Sequence, residues 1–319
     1  MSLEALGWNL RWQEKFGARG CDGLVPARVV AEHRGRYRIA TEDRELAAGT
    51  TGRLRNLADQ RSDLPGVGDF VGAALSEGDS PAMIEAVLPR TSALIRKASG
   101  KPSPQLLAAN VDVVFIVTSM GDDFNLPRLK RYFALVQKSG AAPVIVVNKS
   151  DLKSTIIGLV GEIEELGNTM PVHVISARVR ESTQVLEQYF SGNRTIALIG
   201  SSGVGKSTLT NQLVGRDAQA TQEVRGHDGR GRHTTTSRHL LVRPQGGILI
   251  DTPGLRGLET WDAKASQTAF DDIESLALQC RFRNCRHNTE PACAVRSAVA
   301  RGDLAPAILS DYIKRAPEH

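Results

Sequence analysis

The feature that most constrains this chain is the octapeptide Gly200-Ser-Ser-Gly-Val-Gly-Lys-Ser207, which fits the phosphate-loop pattern G-x-x-x-x-G-K-[ST]. It follows a strand-like apolar run, Thr195 to Ile199, and precedes a helix-like segment. Glycines let such a loop wrap closely around phosphate, so that backbone N–H groups and the helix N-terminus face it. A chance glycine-rich turn would need neither the strand nor the helix. The octapeptide therefore predicts a nucleotide-phosphate site at the end of a buried strand.

Each part of the loop has an expected role. Lys206 should reach the β- and γ-phosphate oxygens, and Ser207 should offer its hydroxyl to Mg²⁺, with Thr208 beside it. The backbone of the remaining positions should form the phosphate cradle: Gly200, Ser201, Ser202, Gly203, Val204 and Gly205.

The surrounding sequence alternates buried-strand patterns with helical ones. Val111 to Thr118 is a near-continuous β-branched run, as expected of a strand buried on both faces of a parallel sheet. Asn125 and Pro127 then begin a helical pattern. This alternation predicts an α/β sheet with helices on both faces. Further strands are expected at 143–147, 172–175, 195–199, 239–243 and 247–250, with helical stretches between 147 and 172 and over 182–190.

The choice of nucleotide rests on Asn148-Lys-Ser-Asp151, which directly follows a predicted buried strand. The Asp151 carboxylate can accept both the N1–H and the exocyclic N2–H of guanine, whereas adenine would leave it desolvated and unpaired. We expect Asn148 at the other edge of the base, the Lys149 stem on a ring face, Ser150 within the same turn, and Ser176-Ala177 supporting the base. Taken alone, the tetrapeptide is more often a polar turn. Together with a phosphate loop, it predicts GTP or GDP as the ligand.

Another turn, Asp251-Thr-Pro-Gly254, ends the predicted strand at 247–250. Asp251 should hold Mg²⁺ through a water molecule, and the Gly254 N–H could sense the γ-phosphate. As a lone tetrapeptide it would be an ordinary β-turn.

Between the loop and this turn lies a glycine-rich, basic stretch with a threonine cluster, Arg225 to Thr236. A first switch loop belongs here, and Thr234 or Thr235 could close onto Mg²⁺ when GTP is bound; a flexible solvated loop is the alternative. Leu255 stands where many GTPases carry a water-orienting glutamine, so intrinsic hydrolysis should be slow and need outside help. His233 is the nearest polar substitute, unless it contacts only phosphate or a partner.

These motifs occur in an unusual order, because the base-reading half precedes the phosphate half. The same sheet can still form, since compact domains tolerate permutation where their termini lie close together. We therefore expect a circularly permuted α/β P-loop GTPase over residues 101–258.

The residues before this domain read as a small all-β barrel, with short strands near 25–31, 36–40, 69–75 and 82–88 separated by glycine turns, including one at 49–52. An OB-fold is the commonest barrel of this size, and a different small barrel stays possible. Arg34, Arg36 and Arg38 alternate along one strand, so they should share a face. Such a face suits RNA, although an arginine cluster alone is more often solvated surface. Residues 1–100 are assigned to this domain and its N-terminal extension.

Residues 259–319 look mainly helical around a Cys/His cluster, Cys280-x4-Cys285-x-His287-x5-Cys293. Three thiolates and an imidazole make a complete tetrahedral set for one structural zinc. The cluster also carries Arg281, Arg283 and Arg286, while Cys21 should remain a free thiol. The chain has a net charge of +5, and neither a signal peptide nor a membrane span is evident in it. We expect a cytoplasmic monomer.

A small barrel, a permuted GTPase and a Cys3His cluster in this order resemble the RsgA (YjeQ) family of GTPases that depend on the small ribosomal subunit. Gly229 to Thr236 and Glu290-Pro-Ala-Cys293 also look like that family's switch and zinc segments. The resemblance covers about residues 20–315. It implies a bacterial factor in late maturation of the small subunit, with hydrolysis stimulated by that subunit and contacts to its rRNA.

Two other functions stay open at this stage. The chain could be an RNA-binding protein that senses GTP with negligible turnover, or a permuted GTPase that acts on another RNA. Phosphate release measured with and without small subunits separates the first of these from the main hypothesis.

Overall fold

The structure is a computed structural model that falls into two compact units, Met1–Arg256 and Gly257–His319. The residues that it describes are 2–33, 35–76, 80–96, 104–119, 124–152, 161, 163, 170–215, 238–251, 273–274, 276–282, 285–301, 304, 309 and 312–313. Five predicted switch residues therefore lie outside the described part of the chain: His233, Thr234, Thr235, Gly254 and Leu255. Arg34 and Arg283 also lie outside it.

The first unit begins with a closed five-stranded barrel of the OB-like kind, as the sequence predicted. Its strands follow the order β1-β2-β3-β5-β4, and β4 returns to pair with β1. Inward-facing side chains such as Val29, Ile39 and Ile84 fill the barrel. The strands are β1 (Val25–His33), β2 (Arg36–Ala40), β3 (Glu45–Thr50), β4 (Phe70–Ala74) and β5 (Ala82–Val87).

Two features of this region differ from the prediction. The turn expected at residues 49–52 is wrong in its first half, because Gly49 and Thr50 lie in β3 and the short helix α2 (Gly52–Asn56) begins afterwards, capped by Thr51. An N-terminal helix, α1 (Leu10–Ala18), was not foreseen. Its Trp12 packs against Phe70 of the barrel, with ring centroids 4.4 Å apart, so the extension packs onto the barrel in a second buried cluster.

The second half of the unit is the predicted α/β sheet, with strand order β10-β9-β8-β11-β13-β12. All neighbouring strands are parallel except β12, which runs antiparallel to β13. Strand β8 is buried along its whole length, which agrees with its unbroken apolar sequence. The strands are β8 (Val113–Ser119), β9 (Ala142–Asn148), β10 (Val172–Val174), β11 (Thr195–Ile199), β12 (Arg238–Val242) and β13 (Ile248–Asp251).

Helices pack against this sheet. Asn125 caps α3 (Leu126–Ser139) as predicted, and α5 (Lys206–Val214) follows the phosphate loop. The helical stretch predicted at 182–190 is a single turn, α4 (Arg180–Thr183), followed by a 3-10 helix, Gln184–Asn193. Most of the stretch predicted between 147 and 172 lies outside the described residues.

The barrel and the α/β sheet are one continuous sheet of eleven strands, which the sequence did not indicate. The join is an antiparallel pairing of β1 with β12, where Ala31 faces His239 and Glu32 faces Arg238. A separate hairpin, β6 (Ala93–Arg96) and β7 (Gln105–Ala109), lies between the two halves of the chain.

The second unit is small. Its described residues include helix α6 (Ala294–Arg301) and an apolar cluster to which Ile273, Val295, Ala298 and Leu304 contribute. Among the described residues of both units, no helix has the length and apolarity that a membrane span requires.

Candidate functional site

The phosphate loop joins β11 to α5 in the arrangement that the sequence predicted. Gly200 has a φ of +147°, and a Cβ there would collide with the Val117 carbonyl of the neighbouring strand. Gly205, with a φ of +93°, would collide in the same way with the Asn148 amide. Val204 is fully buried in the core beside Leu209, which anchors the loop to the helix. Glycine is therefore required at both positions for the loop to lie against its neighbours.

The Lys206 ammonium folds back over the loop that precedes it. Its Nζ donates to the carbonyl oxygens of Gly200, at 2.6 Å, and Ser201. Ser207 and Thr208 are exposed at the start of α5. The Lys206 ammonium and the N-terminal end of α5 thus lie on the side of the loop where phosphate groups bind in loops of this kind.

Asn148 connects three segments of the site. Its carboxamide is 2% exposed; Nδ2 donates to the Val204 carbonyl and Oδ1 accepts from the Ala177 N–H, each at 2.8 Å. The base-reading turn is therefore bonded to both the phosphate loop and the segment after β10. We had expected Asn148 to face the base, and in this structure both ends of its amide make contacts within the protein.

Asp151 lies exposed at the tip of the base-reading turn. The Ser176 hydroxyl donates to its Oδ1 at 2.6 Å, and this hydrogen bond is the main cause that lowers the pKa of Asp151. Ser176 is itself positioned by Ser182, whose hydroxyl accepts from the Ser176 N–H at 2.9 Å. Lys149 adopts a φ of +65°, which turns the chain sharply at the strand end. The lowered pKa favours the ionised carboxylate, which is the form that the predicted guanine recognition requires.

Asp251 ends β13, the strand next to β11, so its backbone lies in the strand beside the one that enters the phosphate loop. The predicted switch threonines, His233 and Gly254 cannot be placed against it, since they lie outside the described residues. Their roles stay predictions.

The four predicted metal ligands come together in the second unit. The donor atoms of Cys280, Cys285, His287 and Cys293 all lie within 4.8 Å of one another. Individual separations are 3.6 Å from Cys280 Sγ to His287 Nδ1, 3.4 Å from His287 Nδ1 to Cys293 Sγ, and 3.8 Å between the sulfurs of Cys280 and Cys293. This donor set can hold a metal ion.

The supporting roles of two residues were not predicted from the sequence. Glu290 accepts the backbone N–H groups of Arg286, Asn288 and Thr289 at 2.9–3.1 Å and so shapes the loop that carries His287. These bonds, led by that from Arg286, lower the pKa of Glu290 to about 2. The second is Ser182, described above. Neither residue type is rare in turns, so only the three-dimensional contacts distinguish them.

A phosphate loop, a predicted guanine-reading turn that precedes it in the chain, and an OB-like barrel before both indicate a circularly permuted P-loop GTPase. Comparison with known proteins identifies the family within this class. A family model described as RsgA GTPase matches residues 87–261, more than half of the chain. The chain therefore belongs to the RsgA GTPase family and is a GTP hydrolase.

Individual relatives agree with this assignment. The small ribosomal subunit biogenesis GTPase RsgA of Opitutus terrae is 41% identical over 98% of this chain and 89% of its own length. The protein of the same name from Syntrophotalea carbinolica is 41% identical over 100% and 90%.

Among solved structures, YjeQ from Thermotoga maritima is 28% identical with a TM-score of 0.54, covering 91% of this chain and 96% of that one. The structure titled YloQ, a circularly permuted GTPase, has a TM-score of 0.52 at 23% identity, covering 93% and 98%. This second likeness supports the fold alone.

Proposed function

We propose that this protein is a GTP-driven assembly factor of the small ribosomal subunit, which docks on rRNA and leaves after hydrolysis. The observation that carries the proposal is the meeting of the base-reading turn and the phosphate loop through Asn148, in a chain with an OB-like barrel. The relatives from Opitutus terrae and Syntrophotalea carbinolica are named as small ribosomal subunit biogenesis GTPases. We further infer a cytoplasmic monomer with domain limits at 1–100, 101–258 and 259–319.

Within the site, we assign guanine recognition to Asp151 and phosphate binding to the Gly200–Ser207 loop with Lys206. Mg²⁺ would be held by hard oxygen donors, the Ser207 hydroxyl directly and Asp251 through water, and Thr235 would join them when GTP is bound. Ser207 is an exposed residue at the start of α5, a position that fits this donor set. The ion would supply charge neutralisation at the β- and γ-phosphates. His233 remains our candidate for orienting the attacking water.

RNA docking is assigned to the barrel. Arg36 and Arg38 are exposed while Tyr37 between them is 5% exposed, so the two arginines project from the same outer face of β2. Exposed arginines on an OB-like barrel can contact phosphates, and their binding is then sensitive to salt. A second basic surface is proposed at Arg281 and Arg286, both exposed beside the metal cluster.

The metal of the second unit is proposed to be zinc. For Zn–S bonds of about 2.3 Å, a regular tetrahedron has edges of about 3.8 Å, and an edge to a nitrogen ligand is shorter. The separations of 3.8 Å between two sulfurs and of 3.4 and 3.6 Å from sulfur to His287 Nδ1 match those edges. Four protein ligands leave no open position, which makes the role structural.

The decisive experiment measures phosphate release from GTP with no subunits, with purified small subunits and with large subunits, at one fixed salt concentration. We expect slow release alone and at least a tenfold increase with small subunits only. Lys206→Ala should lose phosphate release both alone and with small subunits, and this variant serves as the control for contaminating GTPases. Equal rates in all three conditions would remove the assembly role, and stimulation by large subunits alone would redirect it to another RNA.

A further inference from the structure

A buried arginine lies at the far end of the phosphate-loop helix. Arg243 directly follows β12, and its side chain is only 2% exposed. Its Nε donates to the Leu213 carbonyl at 2.7 Å. Leu213 is in the last turn of α5, where carbonyl groups have no partner within the helix and a cation is favourable. Arg243 therefore binds α5 at the end opposite to the phosphate loop.

The same guanidinium also contacts the segment that follows the residues predicted to support the base. Its Nη2 donates to both carboxylate oxygens of Glu187, at 2.7 and 2.8 Å, and its Cζ lies 3.8 Å from the centroid of the Phe190 ring. Both residues belong to the 3-10 helix Gln184–Asn193, which directly follows α4. The hydroxyl of Ser182 in α4 accepts the Ser176 N–H. One side chain thus links the phosphate-loop helix to the base-supporting side of the site.

The turn that carries Arg243 fits closely against the 3-10 helix. Gly247 has a φ of +82°, and a Cβ there would lie 2.6 Å from the Phe190 Cβ. Its N–H donates to Asn193 Oδ1 at 3.2 Å, and its carbonyl accepts from the Arg243 N–H at 3.0 Å. Both the backbone and the side chain of Arg243 are consequently fixed against the segment from which the chain continues into β11.

These polar contacts matter because apolar packing alone does not fix a helix along its axis. Helix α5 buries Leu209 and Leu213 in the core of the sheet, but apolar burial is non-directional. The bond from Asn148 to the Val204 carbonyl fixes the chain just before the helix, and the bond from Arg243 fixes its last turn. Breaking the second bond would leave a buried guanidinium without one of its acceptors, which is costly. Arg243 therefore opposes a shift of α5 relative to the 3-10 helix.

Arg243 acts at a distance from the predicted phosphate contacts. Leu213 lies about two helical turns after Lys206, which corresponds to about 10 Å along the axis. A nucleotide that binds both the loop and the base-reading turn needs the two at one fixed separation. Its apparent affinity falls with the fraction of molecules that have this separation. Guanosine has no phosphate, so it needs only the base-reading side.

We propose that Arg243 is a positioning residue for nucleotide binding, which holds the phosphate loop and the base-supporting segment at the separation that a guanine nucleotide spans. It acts through the Leu213 carbonyl on the phosphate side and through Glu187 on the base side. The inference rests on the nucleotide contacts assigned above to the Gly200–Ser207 loop and Asp151, and it adds a residue that belongs to neither motif.

The test measures the affinities of GDP in Mg²⁺ and of guanosine for the full-length protein, by competition against a fluorescent GDP. In Arg243→Lys, one compact ammonium cannot reproduce the planar fork that contacts both Leu213 and Glu187. We expect GDP affinity to fall about tenfold or more, the equivalent of one hydrogen bond to a charged group. Guanosine affinity should change by less than about twofold. A general loss of stability would leave the ratio of the two affinities unchanged.

Glu187→Ala tests the base side of the same contact. The Glu187 side chain is 48% exposed, so its truncation should leave the protein folded. We expect GDP affinity to fall about threefold or more, with guanosine again little changed. The double variant should lose no more than the larger of the two single losses, because residues that act through one contact are not additive.

Arg90→Lys is the matched control. Arg90 is also mostly buried, and it binds the Asp69 carboxylate and the Ser62 carbonyl, but these contacts lie in the barrel region. The ratio of GDP to guanosine affinity should be that of the wild type, and thermal unfolding midpoints report how far each variant is destabilised. Lys206→Ala is the positive reference, since it should lose GDP affinity and keep guanosine affinity.

GDP affinity within twofold of the wild type in Arg243→Lys, or in Glu187→Ala, would overturn the joint action of the two residues. Equal losses of GDP and guanosine affinity, or the same change of ratio in Arg90→Lys, would overturn it as well, because the damage would then be general. Unchanged GDP affinity in Lys206→Ala would instead reject the assignment of the phosphate loop on which the inference rests. The assembly role is tested separately by phosphate release with subunits, and it can fail while the role of Arg243 stands.

Discussion

The predicted guanine-reading turn, Asn148 to Asp151, and the Cys3His loop are both short segments that carry polar groups for a ligand, and their hydrogen bonds are arranged differently. The turn follows β9, and Asn148 and Ser176 tie it to neighbouring segments by hydrogen bonds between protein groups. Its backbone is bonded as well, since the Ser150 N–H donates to the Ile175 carbonyl. The base-reading turn is therefore built by the fold before any ligand binds.

In the Cys3His loop, the side-chain hydrogen bonds of Glu290 join residues of the loop itself and not neighbouring strands. Two of its residues, His287 and Ala292, have φ values of +59° and +57°, a region that side chains other than glycine rarely adopt. Glu290 bonds the loop from the inside, and the apolar cluster beside it belongs to a unit of only 63 residues, 257–319. Units of that size usually need a metal or disulfides to be stable. The comparison teaches that one site is specified by its sheet, while the other is expected to depend on a bound metal ion.

The largest expected effect is that of removing a predicted metal ligand from the Cys3His loop. Cys285→Ser should release the metal and unfold the second unit, because structural zinc contributes about 10–16 kcal/mol in zinc-finger peptides. We expect metal analysis to find less than a tenth of the wild-type content, and a chelator should produce the same circular-dichroism change in the wild type. GDP binding should persist.

The matched control is Cys21→Ser, the same change at a buried thiol of the first unit. It should keep the metal. Full metal content in Cys285→Ser would take Cys285 out of the ligand set and weaken the contrast between the two sites.

A smaller effect, on specificity rather than folding, is expected at the guanine-reading turn. In Asp151→Asn, the amide can no longer accept two N–H groups, and it presents a donor that suits xanthine. Two hydrogen bonds to a charged group are worth about 3–6 kcal/mol, so GTP affinity should fall about 10²- to 10⁴-fold while xanthosine triphosphate improves. Competition against a fluorescent GDP measures both affinities. Asp59→Asn, at an exposed site of the barrel region, is the control; unchanged guanine preference in Asp151→Asn would reject the assignment of Asp151.

The same contrast explains what the sequence could predict. Buried parallel strands were found because their β-branched runs are continuous, as in Val113–Ser119, and the phosphate loop because close backbone approach requires glycine at fixed spacing. The Cys3His set was found from residue types alone, since metal ligands must be the same few side chains wherever they occur. Local chemistry of this kind requires particular residue types at particular spacings, and these can be recognised in the sequence.

Contacts between distant segments could not be predicted from the sequence in this way. The pairing of β1 with β12 joins residues more than 200 positions apart and uses backbone groups that every residue carries. The protein contacts of Asn148 were not predicted for a related reason, because an amide suits either a base or two backbone partners, and its role at the base stays a prediction. Helix α1 was missed although Trp12 and Phe16 are four residues apart, since charged residues interrupt its apolar pattern.

The smallest expected effect concerns the pKa of Asp151. It tests directly whether hydrogen bonds within the protein prepare the turn for its ligand. The Ser176 hydroxyl is the main group that keeps this pKa low, so Ser176→Ala should raise it. Guanine binding needs the ionised carboxylate, which is present above its pKa and lost as pH falls through it. The variant should therefore lose GDP affinity at a higher pH than the wild type, with a change of less than about tenfold at neutral pH, the equivalent of roughly one weak hydrogen bond. Ser182→Ala should cause a smaller shift in the same direction, because Ser182 acts on Asp151 only by positioning Ser176. If the curves of GDP affinity against pH coincide for Ser176→Ala and the wild type, the Ser176 hydroxyl does not control the charge of Asp151. Hydrogen bonds between protein groups would then matter less for this turn than the comparison with the Cys3His loop implies.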